Sequence, residues 1–170
     1  RRLRARMELA RGGGDDWPDC RDAALLDGLE EWLMPHVGGL RSAADLRALD
    51  LTPALQARLT WDQRHLLDVQ VPAHFDTPLG HRVPIDYDGA QPAIAVRLQE
   101  MFGQNDTPTV AGGRVNVLIH LLSPARRPLA VTQDLRSFWT NAYPEVRKQM
   151  RGRYPKHDWP ADPGTASPPP

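Results

Sequence analysis

The apolar positions change period along the chain, and each change predicts a change of element. Through residues 17–70 they recur at three and four. Leu25, Leu26, Leu29, Trp32 and Leu33 form one stripe, capped by Asp22 and ended by Pro35, Gly38 and Gly39. Ser42 with Asp45 resembles a capping box ahead of Leu46 and Leu49. Thr52-Pro53 opens a helix with Leu55 and Leu59, and Thr60 restarts one through Trp61, His65, Leu66 and Val69. The period then falls to two. Residues 74–77 and 82–87 alternate about Pro78-Leu79-Gly80, which predicts a hairpin. Pro92 opens residues 93–102, where Ile94, Val96, Leu98, Met101 and Phe102 predict a helix closed by Gly103. Residues 115–122 and 129–131, joined by a Pro-bounded loop from Ser123 to Pro128, predict a second hairpin. A final helix follows, capped by Thr132 or Asp134, with Leu135, Phe138, Trp139, Tyr143, Val146 and Met150 as its stripe. Pro144 lies inside that stripe and predicts a kink or a fresh start near Ala142.

These elements predict an α+β fold: a helical N-terminal subdomain, then a small antiparallel sheet in a ββα-ββα order. Residues 1–16 read as a linker or the end of a preceding helix, 17–70 as the helical subdomain, 71–160 as the α+β domain and 161–170, with four prolines, as a disordered tail. The glycine run from Gly12 to Gly14 marks the first break. The expected core is Leu29, Trp32, Leu33, Val96, Leu98, Phe102, Val117, Ile119, Leu121, Leu135, Phe138 and Trp139. Both faces of residues 115–122 are apolar, which predicts a central strand covered on two sides.

The chain has 170 residues, enough to bury a core without staples. Cys20 is its one cysteine, so neither a disulfide framework nor a cysteine zinc site is available, and the usage fits a reducing cytoplasm. No signal peptide or membrane span is legible, and the opening at Arg1 reads as the start of a C-terminal piece of a longer protein. The 21 basic and 21 acidic residues cancel overall but not locally. Residues 114–157 hold Arg114, Arg126, Arg127, Arg136, Arg147, Lys148, Arg151, Arg153 and Lys156 against Asp134 and Glu145, nine charges against two. A solvated helix face is the simplest account of such a cluster, and a surface that meets phosphate the sharper one.

Other chemistries find few residues. No GxxxxGK[ST] run exists; Gly112-Gly113-Arg114 lacks the lysine, the hydroxyl and a following helix, and reads as a turn. His36, His65, His74, His81, His120 and His157 never fall at metal-ligand spacing, although His74 and His81 could face each other across a hairpin. Asp86 and Asp88 flank Tyr87 near a strand end, where neighbouring carboxylates can separate their pKa values. Ser42, Ser123 and Cys20 have no apparent base. Phe138, Trp139, Tyr143 and Tyr154 are interleaved with arginines, as on a single-strand platform, though Phe138 and Trp139 are claimed by the apolar stripe.

Several blocks together resemble the C-terminal domain of bacterial HrpB-type helicases, of the DExH branch. They are Trp17-Pro18, Glu30-Glu31-Trp32-Leu33, the run from Gln91 to Gly103, Gly113-Arg114-Val115, Leu121-Leu122-Ser123-Pro124, Arg127-Pro128-Leu129, Asp134-Leu135 with Phe138-Trp139, and the run from Arg151 to Pro160. The resemblance spans the chain apart from residues 1–11 and the proline tail. It implies a non-catalytic accessory region that docks on an upstream helicase core of the same polypeptide, with ATP and Mg held by that core and no cofactor, metal or catalytic residue here. The expected nucleic-acid-binding set is Arg126, Arg127, Arg147, Arg151, Arg153 and Lys156, meeting RNA or DNA backbone without sequence preference. Two alternatives stay open: a protein-interaction module that binds an acidic partner, and a hydrolase using Asp86 and Asp88. No membrane partner is expected.

Overall fold

The chain divides into two units, Arg1–Val71 and Pro72–Pro170. A computed structural model describes residues 1–12 and 16–167. Part of the glycine break and the last three prolines therefore lie outside the described residues.

Every element described in the first unit is helical: α1 (Arg2–Arg11), α2 (Asp22–Asp27), α3 (Leu29–Trp32), a 3₁₀ turn (Met34–His36), α4 (Ala43–Arg47), α5 (Thr52–Gln56) and α6 (Trp61–Gln70). Thr60 and Gln63 close a reciprocal capping box at the start of α6. Ser42 caps α4 by accepting from the Asp45 N–H at 3.1 Å. The expected stripe of residues 25–33 is not continuous, because Gly28 divides it into two short helices. Trp32 is buried, whereas Leu29 is exposed and Leu33 half-buried. Asp22 is the first helical residue rather than the cap, and it pairs with Arg4 at 2.7 Å. The segment read as a linker or the end of a preceding helix contains α1, which buries Met7 and Ala10 and fixes Arg6 by a 2.7 Å hydrogen bond from Nε to the Val71 carbonyl.

The second unit mixes strands and helix. β1 (His74–Asp76) and β2 (Arg82–Pro84) form the predicted antiparallel hairpin. β6 (Leu118–Leu122) and β7 (Pro128–Thr132) form the other, with a register irregularity at Leu121/Leu122. Between them the chain departs from expectation. Residues 93–102 are not a helix: Ala93–Arg97 is a strand, β3, which runs parallel to β6 with Ala95 opposite His120, and Leu98–Met101 is a single 3₁₀ turn. The sheet order is β3-β6-β7, so the sheet is mixed, with one parallel pair, and the ββα-ββα order is replaced. Ile94 and Val96 alternate with Ala95, and the two β-branched side chains point into the core with Leu98. Strands β4 (Thr109–Val110) and β5 (Val115–Asn116) make a separate ribbon, turned by Ala111, Gly112 and Gly113, all at positive φ.

β6 is the central strand, but it is covered on one face only. Ile119 and Leu121 are fully buried, while His120 is exposed on the other side. After β7, α7 (Leu135–Ser137), capped by Asp134, continues through a π-helical turn (Phe138–Ala142) into α8 (Tyr143–Arg153). Pro144 lies in the first turn of α8, where its missing N–H needs no partner. Phe102 lies at the centre of an aromatic cluster, its ring 6.1 Å from Trp139 and Tyr143 and 6.2 Å from Trp159. The expected disordered tail is packed at its start: Pro163 and Gly164 are buried, and the Pro163 carbonyl accepts from the Gly103 N–H at 2.8 Å. No helix among the described residues is long and apolar enough to cross a membrane.

Candidate nucleic-acid interface

The six basic residues of the expected set fall in two groups. Arg126 and Arg127 occupy the β6–β7 turn, which Ser123 organises from a buried position. The Ser123 N–H donates to the Arg127 carbonyl at 2.8 Å, the Ser123 carbonyl accepts from the Arg126 N–H at 2.8 Å, and its hydroxyl accepts from the Arg127 N–H at 3.2 Å. Arg126 sits at φ 62°, and both arginine side chains project into solvent. Ser123 is thus a turn residue and not a nucleophile.

The second group rides on α8 and the turn after it. Arg151 and Arg153 lie in the last turn, where cations complement the helix dipole, and they and Lys156 are exposed. Arg147 is different: it is half-buried and its Nε donates to the Trp159 carbonyl at 2.7 Å, so it ties the helix to the segment that buries Trp159. Arg136 is neutralised by Asp106 at 2.7 Å. Arg126, Arg127, Arg151, Arg153 and Lys156 have no ion pair among the described residues.

A groove of about 600 Å³ opens beside the first group, over the exposed face of the β3-β6-β7 sheet. Its floor is Ala93, Ala95 and His120, and Arg82, Arg97 and Arg126 come to it from three separate segments. Glu100 lies in its wall, 2.8 Å from His81 Nδ1, and accepts from the Arg97 N–H at 3.0 Å. Burial by itself would raise the Glu100 carboxyl, but these two hydrogen bonds and the Arg97 charge outweigh it and hold the group below the usual glutamate value. Arg97 Nε is buried without a hydrogen-bond partner, 3.7 Å from Glu100 Oε2. The sequence reading missed Arg82, Arg97, Glu100 and His120. The alternation Ala93-x-Ala95-x-Arg97 on one face is a signal that could have found Arg97; the other three are brought there by the tertiary fold.

Asp86 borders this groove, but its carboxylate accepts from the Asp88 N–H at 2.8 Å in a local turn, and Asp88 does not line it. The nearby carboxylate, Glu100, is held below its usual range by the His81 and Arg97 hydrogen bonds and the Arg97 charge, which makes it a weaker base. His74 pairs in register with Pro84 rather than with His81, and no cluster of three metal-ligating side chains occurs among the described residues. Cys20 is buried, which pushes its thiol up and away from the reactive thiolate.

A family model described as "ATP-dependent helicase C-terminal", HrpB_C, matches residues 32–163. The chain belongs to this family. Both basic groups and the whole groove fall within the matched HrpB_C residues. The chain is 50% identical over 154 residues to the ATP-dependent RNA helicase HrpB of Escherichia coli, covering 90% of itself and 19% of that protein. Among solved structures it resembles the E. coli DExH-box NTPase HrpB, with a TM-score of 0.92, 47% identity, and coverage of 98% of this chain and 21% of that one. A second structure, the E. coli DEAH/RHA helicase HrpB, gives a TM-score of 0.76 at 46% identity, covering 93% and 20%. The chain thus spans about a fifth of the length of the relatives it matches.

Proposed function

We propose that this chain is the C-terminal accessory region of an HrpB-type ATP-dependent helicase. It lends basic surface to nucleic acid and leaves ATP and Mg to an upstream core on which it docks. The observation that carries this reading is the set Arg126, Arg127, Arg151, Arg153 and Lys156, exposed and without ion pairs among the described residues in a chain whose total charge is zero. Five such cations can release counterions from a phosphate backbone, and being held on turns and a helix end they carry no base readout. The test is the RNA-stimulated ATPase of the full-length parent, with and without these residues. Loss of stimulation with unchanged basal turnover supports an accessory nucleic-acid role, and equal stimulation rejects it.

A protein-binding role has its own support in the first unit, where Leu26, Met34, Leu46, Trp61 and Val69 are between 58% and 78% exposed. Large apolar side chains in such number on one small unit favour a protein contact there, which accords with docking on the core. An acidic partner would instead engage the second unit's arginines, and competition between an acidic peptide and RNA separates the two.

A further inference from the structure

The open face of the β3-β6-β7 sheet carries features that a solvated basic surface does not need. Register places Ala95 opposite His120 and His120 opposite Val131, so these three side chains form one row across the sheet. Val131 is 56% exposed, and the His120 ring makes no hydrogen bond or ring contact among the described residues. Ala93, Ala95 and the His120 ring line the groove, and Val131 continues the same row beyond it. Around it stand Arg82, Arg97 and Arg126, from β2, the end of β3 and the β6–β7 turn. Arg97 holds a buried Nε without a hydrogen-bond partner, and Arg126 keeps a left-handed backbone at φ 62° that a glycine would adopt more easily. The two carboxylates present are already engaged, Glu100 by His81 and Arg97, Asp86 by the Asp88 N–H.

We infer that this groove binds single-stranded nucleic acid, with a base lying over Ala95, His120 and Val131 and the adjoining phosphates on Arg82, Arg97 and Arg126. The inference rests on the proposal that the region meets nucleic acid, but moves the specific contact from the exposed end of α8 to the sheet face. Small side chains and an imidazole ring beside guanidinium groups suit a base joined to a phosphate, and base stacking on a ring is tolerant of sequence. The groove volume, about 600 Å³, is in the range of small-ligand sites. An extended peptide would be expected at a free strand edge, whereas this groove lies on a sheet face.

The test is binding of an end-labelled oligouridylate to the 170-residue chain, followed by anisotropy across a salt series. His120→Ala is expected to weaken binding about fivefold or more with an unchanged salt slope, as loss of one stacked base requires. Arg126→Gly removes the guanidinium while suiting the positive φ, so the fold is kept; it is expected to weaken binding and lower the slope by about 0.7, and Arg126→Lys to restore the slope. A duplex of the same sequence length is expected to bind more weakly, because its bases are not free to stack. Wild-type affinity in His120→Ala and Arg126→Gly, together with loss in Arg151→Ala/Arg153→Ala, overturns the groove and leaves the basic-surface reading standing. No binding of oligouridylate by the wild type at low salt overturns both. Groove variants that lose an oligoglutamate and keep the oligouridylate would make this an acidic-peptide site, and equal affinity for duplex overturns the stacked base.

Discussion

Arg147 donates from Nε to the carbonyl of Trp159 at 2.7 Å, which makes it a structural strut in the middle of a basic cluster. Trp159 is buried against Phe102, and its own Nε1 donates to the Tyr154 carbonyl at 3.0 Å, so the turn after α8 is fixed at both ends. The two arginines of α8 one turn apart therefore have different duties. Arg147→Ala is expected to destabilise by about 1.5–3 kcal/mol, the range for losing a hydrogen bond to a charged donor. Arg151→Ala is expected to stay within about 0.5 kcal/mol of the wild type. Urea denaturation of the two variants side by side checks the difference, and equal midpoints would remove the strut.

On the proposed nucleic-acid role, the exposed cations set the salt dependence of binding. With about four of them on a single strand, each releasing roughly 0.7 of a counterion, log Kd is expected to change with log salt at a slope near 3. Arg151→Ala/Arg153→Ala should flatten this by about 1.4 with no change in the melting transition. Titrations at several salt concentrations measure it; a slope indifferent to these two residues assigns them to protein docking.

Glu100 makes stability depend on acid pH. Its carboxyl is held below the ordinary glutamate value by His81 and Arg97 against the opposing effect of burial. The unfolded chain therefore binds the proton first as pH falls. The stabilisation is complete above the ordinary value of about 4.3 and is lost as pH drops through the lower folded one. Glu100→Gln is expected to be less stable than the wild type at neutral pH, with the two converging as pH falls through the lowered folded value. Parallel curves across that range would show that the carboxylate charge is immaterial.

Tyr143 does the reverse at alkaline pH. Burial pushes its phenol up to about 12, and the hydroxyl donates to the Pro160 carbonyl at 2.7 Å. The neutral phenol is the form the fold keeps. Its contribution is present below the ordinary tyrosine value of about 10 and is lost as pH rises toward the folded one. Tyr143→Phe is expected to cost about 1 kcal/mol at neutral pH and to lose less stability than the wild type between pH 10 and 12. Unfolding monitored at both pH values checks this, and an identical alkaline loss in both proteins would refute it.

Local chemistry made several elements legible from the sequence alone. Thr60 with Gln63, Ser42 with Asp45 and Asp134 with Ser137 are caps whose partners lie three residues away, so no distant contact is needed to form them. The β6–β7 hairpin and the fresh helix start at Pro144 are likewise fixed by short-range turn chemistry. The resemblance to the HrpB_C family was legible too, because it lies in the residues themselves. The run from Ala93 to Phe102 was not. Its apolar positions fit both a short buried helix and a strand, and the choice was made by β6, which pairs Ala93 with Leu118 across a parallel ladder. Arg147 could not be separated from Arg151 for the same reason: both are arginines on one helix, and only the return of the chain to Trp159 gives one of them a partner. The groove is likewise a tertiary product. Arg82, Arg97 and Arg126 are far apart in sequence, and they share a rim because strands β3 and β6 pair and the β2 and β6–β7 segments end at the same sheet face. Caps and turns were determined by neighbours along the chain; the mixed sheet, the strut and the groove were decided by contacts whose free energy exists only once distant segments meet.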